Sequence, residues 1–479
     1  MTNPKKTNYR WTICAMLFFA TTVNYLDRQV LSLTWPNFIG PEFGWTNSDY
    51  GNITSMFSII YALCMLFAGR LVDWLDTRRG FLWAIGIWSV GACMHAFCGI
   101  ATAGLTAGRW TLSFSGAREA IEAVGASGSV ISMSILLFII CRSVLALGEA
   151  GNFPAAIKAT AEYFPKKDRA FSTSIFNSGA TIGAMIAPAC ILYIAEAAGW
   201  EMSFIIIGVL GFVWMGFWVF IYKKPEACAK VNAAELEYIN QDRHTVSAEN
   251  PTGQSEDSRP KLSFLQCFRY RQTWAFAAGK FMTDGVWWFF LFWAPKYLQT
   301  VFHLESTQLV LPLTVLYTIV MLSIIGGWLP SWFIDRKGMN PYAGRMRAML
   351  IFAFFPLLAL FAQPLGSYTY WLPVIIIGIA CAAHQAWSAN IFSTVGDMFP
   401  KSAIATITGI GGMAGGLSSF LIQQGAGRLF DYAGKSQMKF LGFESEPAGY
   451  FIVFVFCSVA YLIGWVIMKA LVPKYKLVR

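Results

Sequence analysis

Six Asp, Glu, Lys or Arg residues stand well inside stretches of this sequence that are mostly apolar. Asp27 and Arg28 adjoin within about 11–33, Arg142 and Glu149 share about 130–155, and Lys280 and Asp284 share about 273–298. A charge at membrane depth is costly, so each is a functional candidate by default. Arg142 and Glu149 are about two helical turns apart and lie on one helix face. Lys280 and Asp284 are spaced i,i+4, again on one face. A further run, His384, Gln385, Trp387 and Asn390, places polar groups in the apolar stretch at about 370–398. Carboxylates exchange protons, and a guanidinium offers a planar donor fork suited to an oxyanion. Each group also has a plainer reading. The three pairs could be structural ion pairs, and His384 a satisfied packing histidine. Lys158 would snorkel to the interface, and Trp287, Trp288 and Trp293 would pack or belt the membrane.

The elements that position these residues follow from composition. The 479 residues are 56% hydrophobic and 13% charged, against about 25% charged in soluble domains. Twelve stretches are long enough to span a bilayer: about 11–33, 52–72, 81–104, 130–155, 171–195, 202–222, 273–298, 308–334, 346–365, 370–398, 402–426 and 448–472. Their continuous apolarity predicts helices rather than barrel strands. The net charge of +10 does not imply nucleic acid, because Lys and Arg gather in alternate short loops. Lys5, Lys6, Arg78, Arg79, Lys166, Lys167, Arg336, Lys337, Lys474 and Lys476 fall on one side, whereas 34–51 has neither Lys nor Arg. Both termini are expected in the cytoplasm. The first apolar run has no clear cleavage site and reads as an uncleaved first span. Ten scattered Cys indicate neither disulfides nor a metal site.

The chain repeats itself. Gly69–Gly80 (GRLVDWLDTRRG) follows the second stretch, and Gly327–Gly338 (GWLPSWFIDRKG) follows the eighth. Phe164-Pro165-Lys166 and Phe399-Pro400-Lys401 follow the fourth and tenth. Gly69 to Phe164 is 23 residues longer than Gly327 to Phe399, so the first half carries an insertion, placed at about 105–129. Two pseudo-symmetric six-helix bundles are expected, 1–222 and 273–479, joined by a cytoplasmic linker at 223–272. The insertion is either a spacer or a lid, with one or two helical turns between Arg118 and Val124. Gly69, Asp73, Arg78, Arg79, Arg336 and Lys337 are candidate gating residues, because carboxylate–Arg clamps at helix ends can break and remake as access changes.

At Gly69, Asp73, Arg78 and Arg79 the chain resembles the major facilitator superfamily. Asp76 stands where that signature usually has Gly, and Ser331 stands where the second copy would have Asp, so the second clamp is expected to be weaker. Asn24–Arg28, Arg142 with Glu149, and Phe176–Pro188 (FNSGATIGAMIAP) are similar to the anion:cation symporter family; the last segment, Trp200 through Ala227 and the His384-Gln385 pair most resemble bacterial hexuronate transporters. The resemblance covers all twelve spans but not 105–129. It implies proton symport of a sugar acid by alternating access across the bacterial inner membrane. Tyr25, Arg28 and Tyr61 match substrate-contacting positions, as do Lys280, Trp387 and Asn177 less closely. His384 falls at a variable polar contact. Asp27 and Glu149 match proton-carrying carboxylates, and Arg142 the partner of the second.

On this reading Arg28 takes the substrate carboxylate after protonation frees it from Asp27, and Glu149 trades Arg142 for a proton. The expected partners are a small organic anion, protons and lipid. No cofactor beyond the proton gradient, no nucleic acid and no second subunit are required. Competing expectations are another anion such as galactonate or glucarate, sodium coupling or uncoupled transport, and, remotely, an intramembrane enzyme or sensor. No HExxH, GxSxG or P-loop supports an enzyme.

Overall fold

The computed structural model describes residues 6–249, 264–399, 401–476 and 478. Twelve helical spans follow one another: α1 (Tyr9–Thr34), α2 (Asn47–Leu75), α3 (Thr77–Ala96, continued by Cys98–Ala107), α4 (Gly128–Glu149, continued by Asn152–Tyr163), α5 (Lys166–Ala198), α6 (Trp200–Ile221), α7 (Arg271–Phe302), α8 (Ser306–Lys337), α9 (Pro341–Gly366), α10 (Trp371–Met398), α11 (Lys401–Ser436) and α12 (Glu446–Leu471). Among the described residues, nine are long and apolar enough to cross a membrane, counting α3 with its 49° bend as one. The other three, α1, α7 and α11, are long enough at 26, 32 and 36 residues but less apolar. Two of these carry Asp27–Arg28 and Lys280–Asp284, and the third is rich in Gly and Ser. Polar residues in the interior of these helices, among them Asp27, Arg28, Lys280, Asp284, Ser418 and Ser419, are buried against protein.

Within the first six spans, α1 packs on α5, and α3 packs on α4 and α6. The α1–α5 contact is close because two positions lack a side chain. A Cβ at Gly179 or Gly183 would lie 2.5 Å from the carbonyl oxygens of Phe18 and Thr22. Without a hydrophobic drive between helices in lipid, such small-residue contacts supply the packing. In the last six, α7 packs on α11 and α12, while α8 and α9 pack on α10.

Across the two sets, α2 lies along α11, α5 meets α8, and α1 meets α7. Hydrogen bonds between the sets gather toward the end opposite the chain termini. Asp431 accepts from the backbone N–H groups of Asn47 and Ser48 at 3.0 and 2.8 Å. Gln299 donates to Asn37 at 2.5 Å, and Ser306 to Glu196 at 3.2 Å. Deeper in, Tyr50 donates to the Phe292 carbonyl at 3.0 Å, and Ser58 lies 2.9 Å from Ser419. The structure is closed at that end.

Three connections differ from the sequence reading. The 34–51 loop is mostly helical. A π-turn at Trp35–Ile39 and a short helix at Gly40–Phe43 extend α1, and a capping box at Thr46 and Asp49 starts α2. The insertion forms an eleven-residue helix, Phe114–Val124, longer than expected, and it packs on Cys98–Ala107 and Gly40–Phe43. Arg118 there reaches Glu42 at 3.2 Å and Glu201 at 2.8 Å, and Trp200 donates to Glu42 at 2.7 Å.

The linker also has structure. Its helix Ala233–Glu249 turns Glu235 into the start of α1, where the buried carboxylate accepts from Thr7 at 2.6 Å, from the Tyr9 and Arg10 N–H groups, and from Arg10 Nη1 at 2.9 Å. An anion at a helix N-terminus satisfies donors that have no partner inside the helix. Tyr238 donates to Asp168 at the start of α5 at 2.7 Å. The linker run Ala248–Pro260, rich in Ser, Pro, Glu and Asp, falls almost wholly in 250–263, which lie outside the described residues, as does Pro400. A small hairpin, β1 (Lys439–Phe440) with β2 (Phe443–Glu444), joins α11 to α12.

Candidate functional site

The centre of the first six spans depends on a break in α4. Pro154 has no N–H to donate, and its ring crowds the carbonyl four residues back. The helix accordingly turns at Ala150 and Gly151, leaving Glu149 as the last residue before the break. Arg28 on α1 meets Glu149 there. Its Nε donates to Glu149 Oε2 at 2.8 Å, and its Nη2 donates to the same oxygen. Both residues are buried, with Arg28 only 2% exposed.

This pairing replaces the two inferred from sequence. Asp27 and Arg28 do not bond, because consecutive helical residues do not face each other. Arg142 does not reach Glu149 either. Two turns separate them by about 10 Å of rise, and Arg142 Nη2 instead donates to the Arg28 carbonyl at 3.4 Å. Both Asp27 oxygens, Glu149 Oε1, and Arg142 Nε and Nη1 are buried without a hydrogen-bond partner among the described residues.

Aromatic rings enclose the Arg28 guanidinium. Its carbon lies 5.0 Å from the Tyr25 ring centre, 5.0 Å from Tyr61, 5.7 Å from Phe57 and 4.7 Å from Trp288. Trp288 comes from α7, so the cage spans both halves. The sequence reading assigned Trp288 to packing. Its register with Lys280 and Asp284, at i, i+4 and i+8, was the available signal.

In the last six spans the cation is held within one helix. Lys280 Nζ lies 2.6 Å from Asp284 Oδ2 and 4.3 Å from the Phe392 ring centre. His384 on α10 stacks on Trp287 with centroids 5.3 Å apart and planes at 9°. Its Nδ1 is 2.8 Å from the Tyr461 hydroxyl, which lies 3.4 Å from the Thr283 carbonyl. Trp387 is fully buried, edge-on to Tyr461. Asn390 ties α10 to α8 through the Gly326 carbonyl at 2.8 Å. Tyr461, absent from the sequence candidates, was visible only as a polar tip in an apolar span. Asn177 is exposed on α5 and lies outside these two clusters.

The gating candidates lie at the end that carries the termini. Arg78 donates to the Val219 carbonyl at 2.5 Å, so it ties α3 to α6. Arg79, Arg336 and Lys337 are exposed, and nothing approaches a Cβ built on Gly69. The Asp73 side chain lies outside the described residues. Asp76 pairs with Lys224 at 3.4 Å. At the same end of the second repeat, Arg345 pairs with Asp397 at 2.7 Å, between α9 and α10.

The arrangement can hold an anion against a buried guanidinium walled by rings, with carboxylates close enough to compete for it. That is the architecture of a small-ligand site between two helical halves. Comparison with known proteins agrees. The chain is 29% identical over 435 residues to the hexuronate transporter of Escherichia coli (strain K12), covering 90% of this chain and 89% of that protein. It is 25% identical over 379 residues to the galacturonate transporter of Dickeya chrysanthemi, covering 79% and 95%. In fold it is similar to a crystal structure of a D-xylose–proton symporter, with a TM-score of 0.66 at 13% identity, covering 98% of this chain and all of that one. The family model of the Major Facilitator Superfamily matches residues 17–422. The chain is a transporter, not an enzyme, and belongs to the Major Facilitator Superfamily.

Proposed function

We propose that this transporter imports a hexuronate, galacturonate or glucuronate, across the bacterial inner membrane by proton symport, with both termini in the cytoplasm. The observation that carries the reading is a balance of charge. Three cations, Arg28, Arg142 and Lys280, and three carboxylates, Asp27, Glu149 and Asp284, are buried at the centre of the spans. Fully ionised, the set is neutral. A monoanion entering alone would leave one uncompensated negative charge, and breaking a buried ion pair costs about 3–5 kcal/mol. One proton taken up with each monoanion restores neutrality.

Arg28 is the cation the substrate carboxylate takes, and the group displaced is Glu149. Freed from Arg28, Glu149 accepts the proton or turns to the unpartnered Nε and Nη1 of Arg142. Asp27 is a second proton site. Tyr25, Tyr61 and Trp288 wall the ring, while Lys280, His384 and Trp387 face it from the other half, with Asn177 joining as α5 moves. Alternating access follows when the bonds that close the far end release and the clamps at the terminal end form. The surplus of Lys and Arg in the loops on the terminal side supports the orientation. A dicarboxylate is the second reading, favoured by a pre-paired cation in each half.

The test is uptake of labelled galacturonate and glucuronate into proteoliposomes with and without an inward proton gradient. Accumulation that requires the gradient is expected. Uptake that ignores it would remove the proton, and no uptake of either sugar acid by folded protein would remove the hexuronate.

A further inference from the structure

We propose that Asp284 is a third proton-exchanging carboxylate, one that hands Lys280 to the substrate by taking a proton itself. The proposal deepens the sugar-acid–proton symport reading and rests on it.

The geometry is that of a held cation with one open acceptor. Asp284 Oδ2 bonds Lys280 Nζ at 2.6 Å, while Oδ1 is buried with no hydrogen-bond partner among the described residues. The opposing helix is shaped around this carboxylate. A Cβ on Gly415 of α11 would lie 2.2 Å from Oδ2 and 3.0 Å from the Asp284 Cβ, so glycine is what lets the carboxylate keep this position. A salt bridge serving stability alone gains little from such a fit, since a buried pair is often replaceable by apolar residues at no loss. Among the described residues, the ionisable groups around Asp284 are few. Lys280 lies on its own helix, and the phenols of Tyr461 on α12, Tyr25 on α1 and Tyr61 on α2 are near enough to sense its charge. His384 on α10 is near enough to feel the Lys280 charge, and α11 offers Gly415 and Ser418.

The exchange balances. Empty, the pair is Lys280 ammonium with Asp284 carboxylate, net neutral. Loaded, the substrate carboxylate is on Arg28, the Lys280 ammonium donates to a substrate hydroxyl, and Asp284 carries a second proton drawn from the side the site faces, so each monoanion moves one net positive charge inward. On release the substrate anion and the proton leave together and the pair re-forms. Because α7 touches α1 and α11 lies along α2, the pair sits where the two halves meet.

The test is the pH slope of binding. Each proton taken up with substrate weakens affinity about tenfold per pH unit once the group is ionised in the empty protein. Galacturonate dissociation constants are measured on the full-length carrier across roughly pH 5 to 9, with galactarate as the probe if galacturonate does not bind. Asp284→Asn is expected to lose one factor of ten per pH unit relative to wild type. Asp284→Glu should restore it. A slope in Asp284→Asn equal to the wild-type slope overturns the proposal and leaves symport intact. No slope in wild type overturns both. Should Asp284→Asn fail to fold, Lys280→Gln/Asp284→Asn removes both charges at once. The same reduction is expected there, and an unchanged slope again overturns the role of Asp284.

Discussion

The first half of the molecule holds its central cation between two helices, and the second half holds its cation within one. Arg28 on α1 bonds Glu149 on α4, whereas Lys280 and Asp284 are one turn apart on α7. A bond between helices can be broken by their relative movement as well as by a proton or a ligand. A bond within a rigid helix answers only to chemistry. The first pair can therefore report conformation, and the second can report only occupancy and protonation.

Substitutions that attack this asymmetry should rank in a definite order. Arg28→Ala removes the cation that takes the substrate carboxylate, and losing one partner of a buried charge pair costs about 2–5 kcal/mol of binding, which should appear as a loss of affinity of at least about thirtyfold in counterflow. Wild-type affinity would take Arg28 out of the site. Glu149→Gln keeps the shape and removes the proton. Gradient-driven accumulation should collapse while exchange across the membrane survives, and full accumulation would end the coupling role of Glu149. Trp288→Ala removes one ring of the Arg28 cage, a contact of about 1–2 kcal/mol. A roughly tenfold rise in KM with little change in stability is expected, checked by transport and thermal unfolding. The smallest effect belongs to Arg118→Ala. That side chain is 38% exposed and its pairs contribute about 0–1 kcal/mol, so transport should change less than about fivefold. A large loss would make the inserted helix part of the gate and move the decisive contrast away from the centre.

The span pattern was readable in the sequence because a bilayer imposes length and apolarity on every crossing segment. The six central charges were readable for the same reason, since each violates that demand. Their pairing was not. Spacing along a chain reports which residues share a face of one helix, and it gave Lys280–Asp284 correctly. It pointed to Arg142–Glu149 as well, where the helices instead interpose Arg28. The helical continuation beyond Thr34 carries Pro36 and Pro41 at the first turns of its segments, where proline is tolerated, so nothing in the apolar pattern marked it as helix. Pro154 was visible, yet its consequence, a turn directly after Glu149, depends on neighbours that take up the freed backbone. The docked linker helix was hidden because its anchor is one buried glutamate in an otherwise polar segment.

That anchor changes how the connection between the halves should be treated mechanically. A strap fixed only at its two ends would begin at the close of α6, and its full length would be slack. Glu235 and Tyr238 instead fasten the strap to the starts of α1 and α5. Shortening the chain before Glu235 and shortening it after the helix are therefore different operations on the machine.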